Sequence, residues 1–123
     1  MKILIVEDEE ILLKVLQEKL EGEKYKTALV TDGAEVVRRA KTFRPDLILL
    51  DLILPNKDGF EVLKELKSDP NLKLIPVVVL SNLGQDEEIK RALQLGAVDY
   101  LVKIQHPINE VVEKLKHHLL AGK

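Results

Sequence analysis

Residues 45–55 read Pro45-Asp46-Leu47-Ile48-Leu49-Leu50-Asp51-Leu52-Ile53-Leu54-Pro55. Four aliphatic residues in a row, Leu47–Leu50, are typical of a short strand that is buried on both faces. Asp51 then interrupts the apolar run, and Pro55 ends any further strand pairing. A carboxylate among aliphatic side chains is unfavourable unless it is hydrogen-bonded, paired or bound to a metal. Asp51 therefore either caps the chain at a strand end or belongs to a functional site.

The composition is that of one globular domain, which we expect to span residues 1–123. Hydrophobic residues make up 46% of the chain, charged residues make up 33%, and the net charge is −2. This charge lacks the basic excess of a nucleic-acid-binding protein. The absence of cysteine excludes disulfides and thiol chemistry. The apolar run Ile3–Val6 is too short for a secretory signal. We expect a cytoplasmic protein with neither a nucleic acid nor a membrane as its direct partner.

Two hydrophobic periods alternate along the chain. Short aliphatic runs predict strands at residues 3–6, 25–30, 47–51, 75–81 and 99–103. Apolar residues at three- and four-residue spacing predict helices near residues 10–22, 34–42, 60–68, 86–95 and 108–120. Lys24 and Lys26 indicate that the second strand lies near a sheet edge. The residues expected to face inward include Leu12, Leu16 and Leu20, with Ile11 and Val15 beside them, and Ile89, Ala92 and Leu93.

Strands that alternate with helices form a parallel sheet with helices on both faces. The fold class is therefore α/β, with five strands and five helices. Because the crossovers are right-handed, the carboxyl ends of all strands lie at the same edge. Open sheets of this class bind their ligands outside that edge.

The residues that follow the strands carry chemistry that suits a phosphoryl group. Glu7 and Asp8 follow the first predicted strand, and Asp51, Ser81 and Lys103 end the third, fourth and fifth. Each alone is compatible with helix capping. Crowded carboxylates repel one another unless a cation intervenes, and Mg²⁺ is a hard cation that prefers oxygen ligands. Lys103, the Ser81 hydroxyl and the metal would then hold a phosphoryl group for in-line attack by Asp51.

With these residues the chain resembles the receiver domain of bacterial and archaeal response regulators, of the chemotaxis-receiver type. The resemblance covers essentially the full length. It implies a flavodoxin-like three-layer sandwich with strand order 2-1-3-4-5. The motifs that carry it are residues 3–9 (ILIVEDE), 45–55 (PDLILLDLILP), 58–61 (DGFE), 79–81 (VLS) and 96–103 (GAVDYLVK).

The resemblance also implies a role for each site residue. Asp51 would accept a phosphoryl group from a sensor histidine kinase or a phosphotransfer protein. Lys103 and Ser81 would contact the phosphoryl oxygens. Tyr100 would be the aromatic switch whose ring turns inward when Ser81 is drawn to the phosphate. The protein would be a phosphoacceptor switch of two-component or phosphorelay signalling, and not an enzyme beyond assisting its own phosphorylation and dephosphorylation.

The same resemblance implies a metal site. Glu7, Asp8, Asp51 and the backbone carbonyl of Ile53 would hold Mg²⁺ or Mn²⁺. Contacts with a downstream protein, or with a second copy of the chain, are expected on the face between helices 86–95 and 108–120. The chain ends soon after the last helix, so we expect no output domain in it.

Two departures from the family pattern matter. Lys103 is usually followed directly by proline, often through a cis bond, whereas Ile104-Gln105-His106 precede Pro107 here. The family's cis bond is therefore not assured, and the connection is expected to be longer or differently shaped. Ile53 and Leu83 are apolar at positions that flank the phosphoryl site in the family. This predicts slow hydrolysis of the phosphorylated form, because neither side chain orients a water.

Other classes fit the site less well. A flavin-binding module would need a glycine- and hydroxyl-rich loop after the first strand instead of Glu7-Asp8-Glu9. An aspartate-nucleophile phosphatase usually carries a second acid at the position of Ile53. The alternative that stays open is a degenerate receiver that takes no phosphate and acts only as an interaction module, although the presence of all five site residues argues against it.

Overall fold

The structure, a computed structural model, describes residues 1–121. Strands and helices alternate along this range, as the sequence predicts. Two short 3₁₀ helices, Gly33–Glu35 and Lys103–Gln105, precede the second and the fifth α-helix. The elements in chain order are β1 (Lys2–Val6), α1 (Glu10–Gly22), β2 (Lys26–Val30), α2 (Val36–Phe43), β3 (Leu47–Leu50), α3 (Gly59–Ser68), β4 (Val77–Ser81), α4 (Asp86–Gln94), β5 (Asp99–Val102) and α5 (Ile108–Ala121).

The five strands form one parallel sheet in the order β2-β1-β3-β4-β5. This confirms the order that the resemblance implied. It also places β2 at an edge, as its flanking lysines indicated. The chain order reverses between β1 and β3, so the carboxyl ends of these two central strands border the crevice where such sheets bind ligands.

The sheet lies between two helical layers because successive side chains of a strand point to opposite faces. On one face, Leu4, Ile48 and Leu50 pack with α2, α3 and α4. On the other face, Ile3 and Leu49 pack with α1 and α5. This is the expected three-layer sandwich. None of the helices in residues 1–121 is both long enough and apolar enough to cross a membrane.

Two of the predicted inward positions are wrong. Ile11 is 82% exposed, and Leu13, Leu16 and Leu20 form the buried stripe of α1 instead. Residues two apart on a helix point in nearly opposite directions, so burial of Leu13 turns Ile11 outward. In α4, Leu93 is 45% exposed while its neighbour Ala92 is fully buried. Ala92 is the only fully buried residue that α4 contributes within the described chain, because only a narrow side of this helix faces the core.

Close backbone contact joins the loop before α2 to the loop that follows β3. Gly33 donates its N–H to the carbonyl of Pro55 at 3.1 Å. Asp32 caps the 3₁₀ helix by accepting from the N–H of Ala34 and also accepts from the Asn56 side chain at 2.6 Å. A methyl group on Gly33 would lie 2.1 Å from the carbonyl oxygen of Lys57. The loop after β3 is therefore held from the side by its neighbour.

We expect Gly33→Ala to destabilise the protein by roughly 1–3 kcal/mol, because the added carbon overlaps backbone atoms that cannot move independently. Gly22→Ala is the matched control. No atom lies within 4 Å of the carbon added there, so this variant should be neutral or slightly more stable. Urea unfolding of both variants measures the difference. Equal stability of the two variants would contradict the proposed contact.

Candidate functional site

Three polar or charged residues are buried within residues 1–121, and all three follow or end a strand at the carboxyl edge. Glu7 is 2% exposed, Asp51 is 3% exposed and Ser81 is fully buried. Backbone pairing continues one residue past the strands and fixes these positions. Glu7 donates its N–H to Val30, and Asp51 donates to Val6, both at 3.0 Å. The sheet therefore holds two carboxylates in a place that burial alone would assign to apolar side chains.

The ammonium of Lys103 binds three carboxylates at once. Its Nζ lies 2.7 Å from Glu7 Oε1, 2.8 Å from Asp51 Oδ2 and 2.6 Å from Glu9 Oε2. An ammonium group has three donor hydrogens, so these contacts use all of its capacity. The predicted Lys103, Asp51 and Glu7 are thus brought together.

Sequence reasoning missed Glu9 as a member of this group. Its place at the start of a helix favoured a capping role, and Glu9 is indeed the N-cap residue of α1. Within residues 1–121, however, its side chain makes no capping hydrogen bond and binds Lys103 instead. The run of three acids, Glu7-Asp8-Glu9, was the available signal. The partner that lies 94 positions away could be found only in three dimensions.

Three of the predicted metal ligands also converge. One carboxylate oxygen each from Glu7, Asp8 and Asp51 lie within 4.8 Å of one another, with Asp8 exposed and the other two residues buried. Such a cluster fits a hard divalent cation. The backbone N–H of Ile53 donates to Asp51 Oδ1 at 3.1 Å. The loop after β3 therefore turns back onto the carboxylate, which brings the Ile53 backbone close to the cluster.

Burial and charge shift the pKa values of the group strongly. Burial and the neighbouring Asp51 carboxylate raise the pKa of Glu7 to about 8, against the opposing effect of Lys103. Burial alone would lower the pKa of Lys103, but hydrogen bonds to Asp51, Glu7 and Glu9 raise it above its ordinary range. The hydrogen bond from Lys103 lowers the pKa of the exposed Glu9. The metal-free pocket thus favours a proton on Glu7.

Ser81 and Tyr100 both contact the backbone of residue 83. The Ser81 hydroxyl accepts from the N–H of Leu83 at 3.4 Å, and the Tyr100 hydroxyl donates to the Leu83 carbonyl. The Tyr100 ring is turned inward and is only 9% exposed. Burial and the Glu88 carboxylate raise its pKa to about 12. The loop between β4 and α4 is thus held by a buried hydroxyl on β4 and a buried ring on β5.

The connection between β5 and α5 is the differently shaped segment that Ile104-Gln105-His106, the residues between Lys103 and Pro107, predicted. It forms the 3₁₀ helix Lys103–Gln105, and residues 1–121 contain no cis peptide bond. His106 Nδ1 lies 3.0 Å from the carbonyl oxygen of Val102. Ile104 is 83% exposed beside the pocket. Lys103 therefore leaves the sheet on a short helical turn that aims its ammonium back at the carboxylates.

Comparison with known proteins agrees with this geometry. The family model of the response regulator receiver domain matches residues 3–116. This chain belongs to the response regulator receiver domain family. The receiver domain is also 40% identical over 117 residues to the alkaline phosphatase synthesis transcriptional regulatory protein PhoP of Bacillus subtilis. This match covers 94% of the receiver domain and 47% of PhoP.

Two solved structures relate the fold to chemistry in similar proteins. The phosphorylated cyanobacterial phytochrome response regulator RcpA superimposes with a TM-score of 0.85 at 38% identity, covering 99% of this chain and 95% of RcpA. The receiver domain of the sensor histidine kinase PA1611 from Pseudomonas aeruginosa PAO1, with magnesium coordinated in its active-site cleft, has a TM-score of 0.85 at 31% identity and 96% coverage of both chains. The receiver domain spans about half of the length of one curated relative that it matches and about a quarter of the length of another.

The raised pKa of Glu7 predicts how the stability of the metal-free protein depends on pH. Between 4.5, its ordinary pKa, and about 8, Glu7 holds a proton in the folded state but not in the unfolded chain. The free energy of unfolding should therefore fall as the pH rises through this window, by at most about 1.4 kcal/mol per pH unit from this group.

Chemical denaturation in the presence of a chelator, at several pH values between roughly 5 and 8.5, measures this dependence. Glu7→Gln should flatten the slope. Glu18→Gln, which changes an exposed acid on α1, should leave it unchanged. A wild-type slope equal to that of Glu7→Gln would show that Glu7 is ionised throughout.

Proposed function

We propose that this receiver domain accepts a phosphoryl group on Asp51 from a histidine kinase or phosphotransfer protein and responds with a change of conformation. The observation that carries the proposal is the position of Asp51. Its carboxylate is buried at the carboxyl edge of the sheet, 2.8 Å from the Lys103 ammonium and within a cluster of acids that fits a divalent cation. A buried, oriented carboxylate beside a cation is suited to act as a nucleophile toward phosphorus.

In the proposed reaction an Asp51 oxygen forms a bond to phosphorus while the bond from phosphorus to the donor breaks. The donor nitrogen or oxygen leaves with the electron pair of that bond. Lys103 stabilises the charge on the phosphoryl oxygens, since positioning and charge neutralisation dominate this chemistry. The N–H of Ile53 fixes the Asp51 carboxylate from its other side. The product is an acyl phosphate on Asp51.

We propose Mg²⁺ as the cofactor, held by Glu7, Asp8, Asp51 and the carbonyl of Ile53. Two features support the fit: three carboxylates meet within 4.8 Å, and burial together with the neighbouring Asp51 carboxylate raises the pKa of Glu7 despite the Lys103 ammonium. A bound divalent cation would neutralise the surplus negative charge and orient phosphoryl oxygens.

The conformational response is proposed to run through Ser81 and Tyr100. A ligand shifts an equilibrium only through contacts that differ between two states. Ser81 carries a fully buried hydroxyl at the end of β4, and both it and Tyr100 contact the Leu83 backbone. A pull on Ser81 would therefore move the loop that leads into α4. We propose that the face of α4 and α5 makes the output or dimer contacts, which the exposure of Leu93 supports.

A groove beside Lys103 offers a place for the phosphodonor protein. It has a volume of about 800 Å³ and is lined by Val15, Lys103 and two strongly exposed isoleucines, Ile11 and Ile104. Exposed apolar side chains at the mouth of a charged pocket are typical of a protein contact. Lys103 belongs to both the groove and the pocket, so we propose that a phosphohistidine presented in the groove is brought next to the Lys103 ammonium.

We further propose that the domain is a switch and not a turnover enzyme. Ile53 stands two residues after Asp51 and offers no acid or base to complete a hydrolytic cycle. The rival hypothesis is a receiver that takes no phosphate. The buried ion pairs that Lys103 makes with Glu7 and Asp51 argue against it. Buried ion pairs rarely add net stability, so a purely structural role does not account for this one.

Incubation with Mg²⁺ and acetyl phosphate should add one phosphoryl group, detected by intact-mass spectrometry. Asp51→Asn should abolish the gain, and chelation of Mg²⁺ should suppress it. Asp46→Asn is the matched control, because it changes an exposed aspartate five residues earlier and should be modified like the wild type. No mass gain in the wild type would support the degenerate receiver instead.

The phosphorylated form should hydrolyse slowly, over minutes or longer, in Mg²⁺ buffer. Ile53 and Leu83 are apolar and have no side-chain group that could orient a water for attack on the acyl phosphate. Loss of the added mass over time measures the lifetime. Ile53→Asn should shorten it by placing an amide at the half-exposed position. A wild-type half-life of seconds would contradict this account.

A further inference from the structure

Lys103 binds the carboxylates of Glu7, Glu9 and Asp51. Of these three, Glu9 is the one that the proposed phosphoryl chemistry does not use. Its side chain is 57% exposed, whereas those of Glu7 and Asp51 are 3% and 4% exposed. Its carboxylate lies 2.6 Å from Lys103 Nζ. Glu9 does not cap α1 with its side chain within the described chain, so the ion pair is the contact that holds this side chain at the mouth of the pocket.

Lys103 has no donor hydrogen to spare. Its three contacts with Glu7, Glu9 and Asp51 use the full capacity of an ammonium group. A phosphoryl oxygen can bind Lys103 only if one carboxylate withdraws. Glu7 and Asp51 are anchored in the core by the sheet, while Glu9 stands at the solvent side. Its withdrawal requires only a side-chain rotation into water, and so has the lowest cost of the three.

We propose that Glu9 is a placeholder for the incoming phosphoryl group: its carboxylate occupies the third donor of Lys103 in the resting state and must leave before a phosphoryl oxygen binds. This inference rests on the proposed phosphorylation of Asp51. While it is in place, Glu9 keeps Lys103 fully satisfied and aimed at Asp51. It also adds a negative charge that opposes the entry of an anionic donor. Glu9 is thus a positioning residue that holds the resting pocket closed to phosphate.

The role proposed for Glu9 differs from the roles expected of the neighbouring acids Glu7 and Asp8. Glu7 and Asp8 are expected to attract the metal, and their removal would weaken the pocket. Removal of Glu9 would leave the cluster of Glu7, Asp8 and Asp51 complete and free one donor of Lys103. Loss of Glu9 should therefore raise the rate of phosphorylation, which is the opposite of what loss of a ligand would do.

The test compares Glu9→Gln and Glu9→Ala with Glu10→Gln. Glu10 is an exposed acid one residue further on, and it belongs to none of the ion pairs in residues 1–121. Each purified variant is incubated with saturating Mg²⁺ and a range of acetyl phosphate concentrations. We expect both Glu9 variants to be phosphorylated about three- to tenfold faster than the wild type, as loss of a partly exposed ion pair allows. Glu10→Gln should match the wild type.

A second measurement does not depend on turnover. Beryllofluoride, a stable mimic of the phosphoryl group, is titrated into the Mg²⁺-loaded protein and followed through backbone amide resonances. The midpoint should fall about three- to tenfold in Glu9→Gln and Glu9→Ala, since release of the ion pair is no longer required. Thermal unfolding confirms that each variant is folded, which is expected because Glu9 is largely exposed.

The outcomes distinguish a failure of the placeholder role of Glu9 from a failure of the proposed phosphorylation of Asp51. If the wild type takes no phosphoryl group, the proposed function fails and the placeholder with it. If the wild type is phosphorylated but the Glu9 variants react no faster, or more slowly, only the placeholder is overturned. If Glu10→Gln is accelerated as much as Glu9→Gln, general charge repulsion replaces the specific contact and the inference is likewise overturned.

Discussion

The Lys103 ammonium makes the rest of the site physically possible. Four acids (Glu7, Asp8, Glu9 and Asp51) surround one end of the sheet, and two of them are buried. Without a cation between them, their mutual repulsion and desolvation would favour protonation or opening of the pocket. Lys103 contacts three of the four within 2.8 Å. The single cation leaves a surplus of negative charge, and this surplus fits the divalent cation proposed for the pocket.

Burial of apolar side chains along the central strands offsets the cost of burying these charges. Both faces of the central strands are covered, so Leu4 and Ile5 are fully buried on opposite sides. A buried strand that is dry on both faces holds the next residue in a fixed place, whether that residue is polar or not. Glu7 and Asp51 are therefore positioned by packing that they do not contribute to. An exposed loop would leave the same carboxylates free to spread apart in water.

Loops at the carboxyl edge differ in how firmly they are held. The loop after β3 is held through Gly33 and through the bond between Asp32 and Asn56. The loop after β4, by contrast, depends on two side-chain hydrogen bonds that Ser81 and Tyr100 make with the Leu83 backbone. This contrast fits the proposed switch, in which one wall of the pocket stays in place while another moves. The exposed Glu9 adds a third behaviour, a side chain that can leave the pocket without moving any backbone.

The sequence by itself determined the alternation of strands and helices, because aliphatic runs and helical spacing are local properties of the chain. It also placed Asp51, Lys103 and Ser81 at one edge, since parallel strands must end together. Only the tertiary structure decided that Leu13 and not Ile11 faces the core, because neighbouring positions on a helix compete for one narrow contact. It alone decided that Glu9 binds Lys103, because charge pairing across 94 residues depends on where two loops meet in space and leaves no periodic trace in the chain.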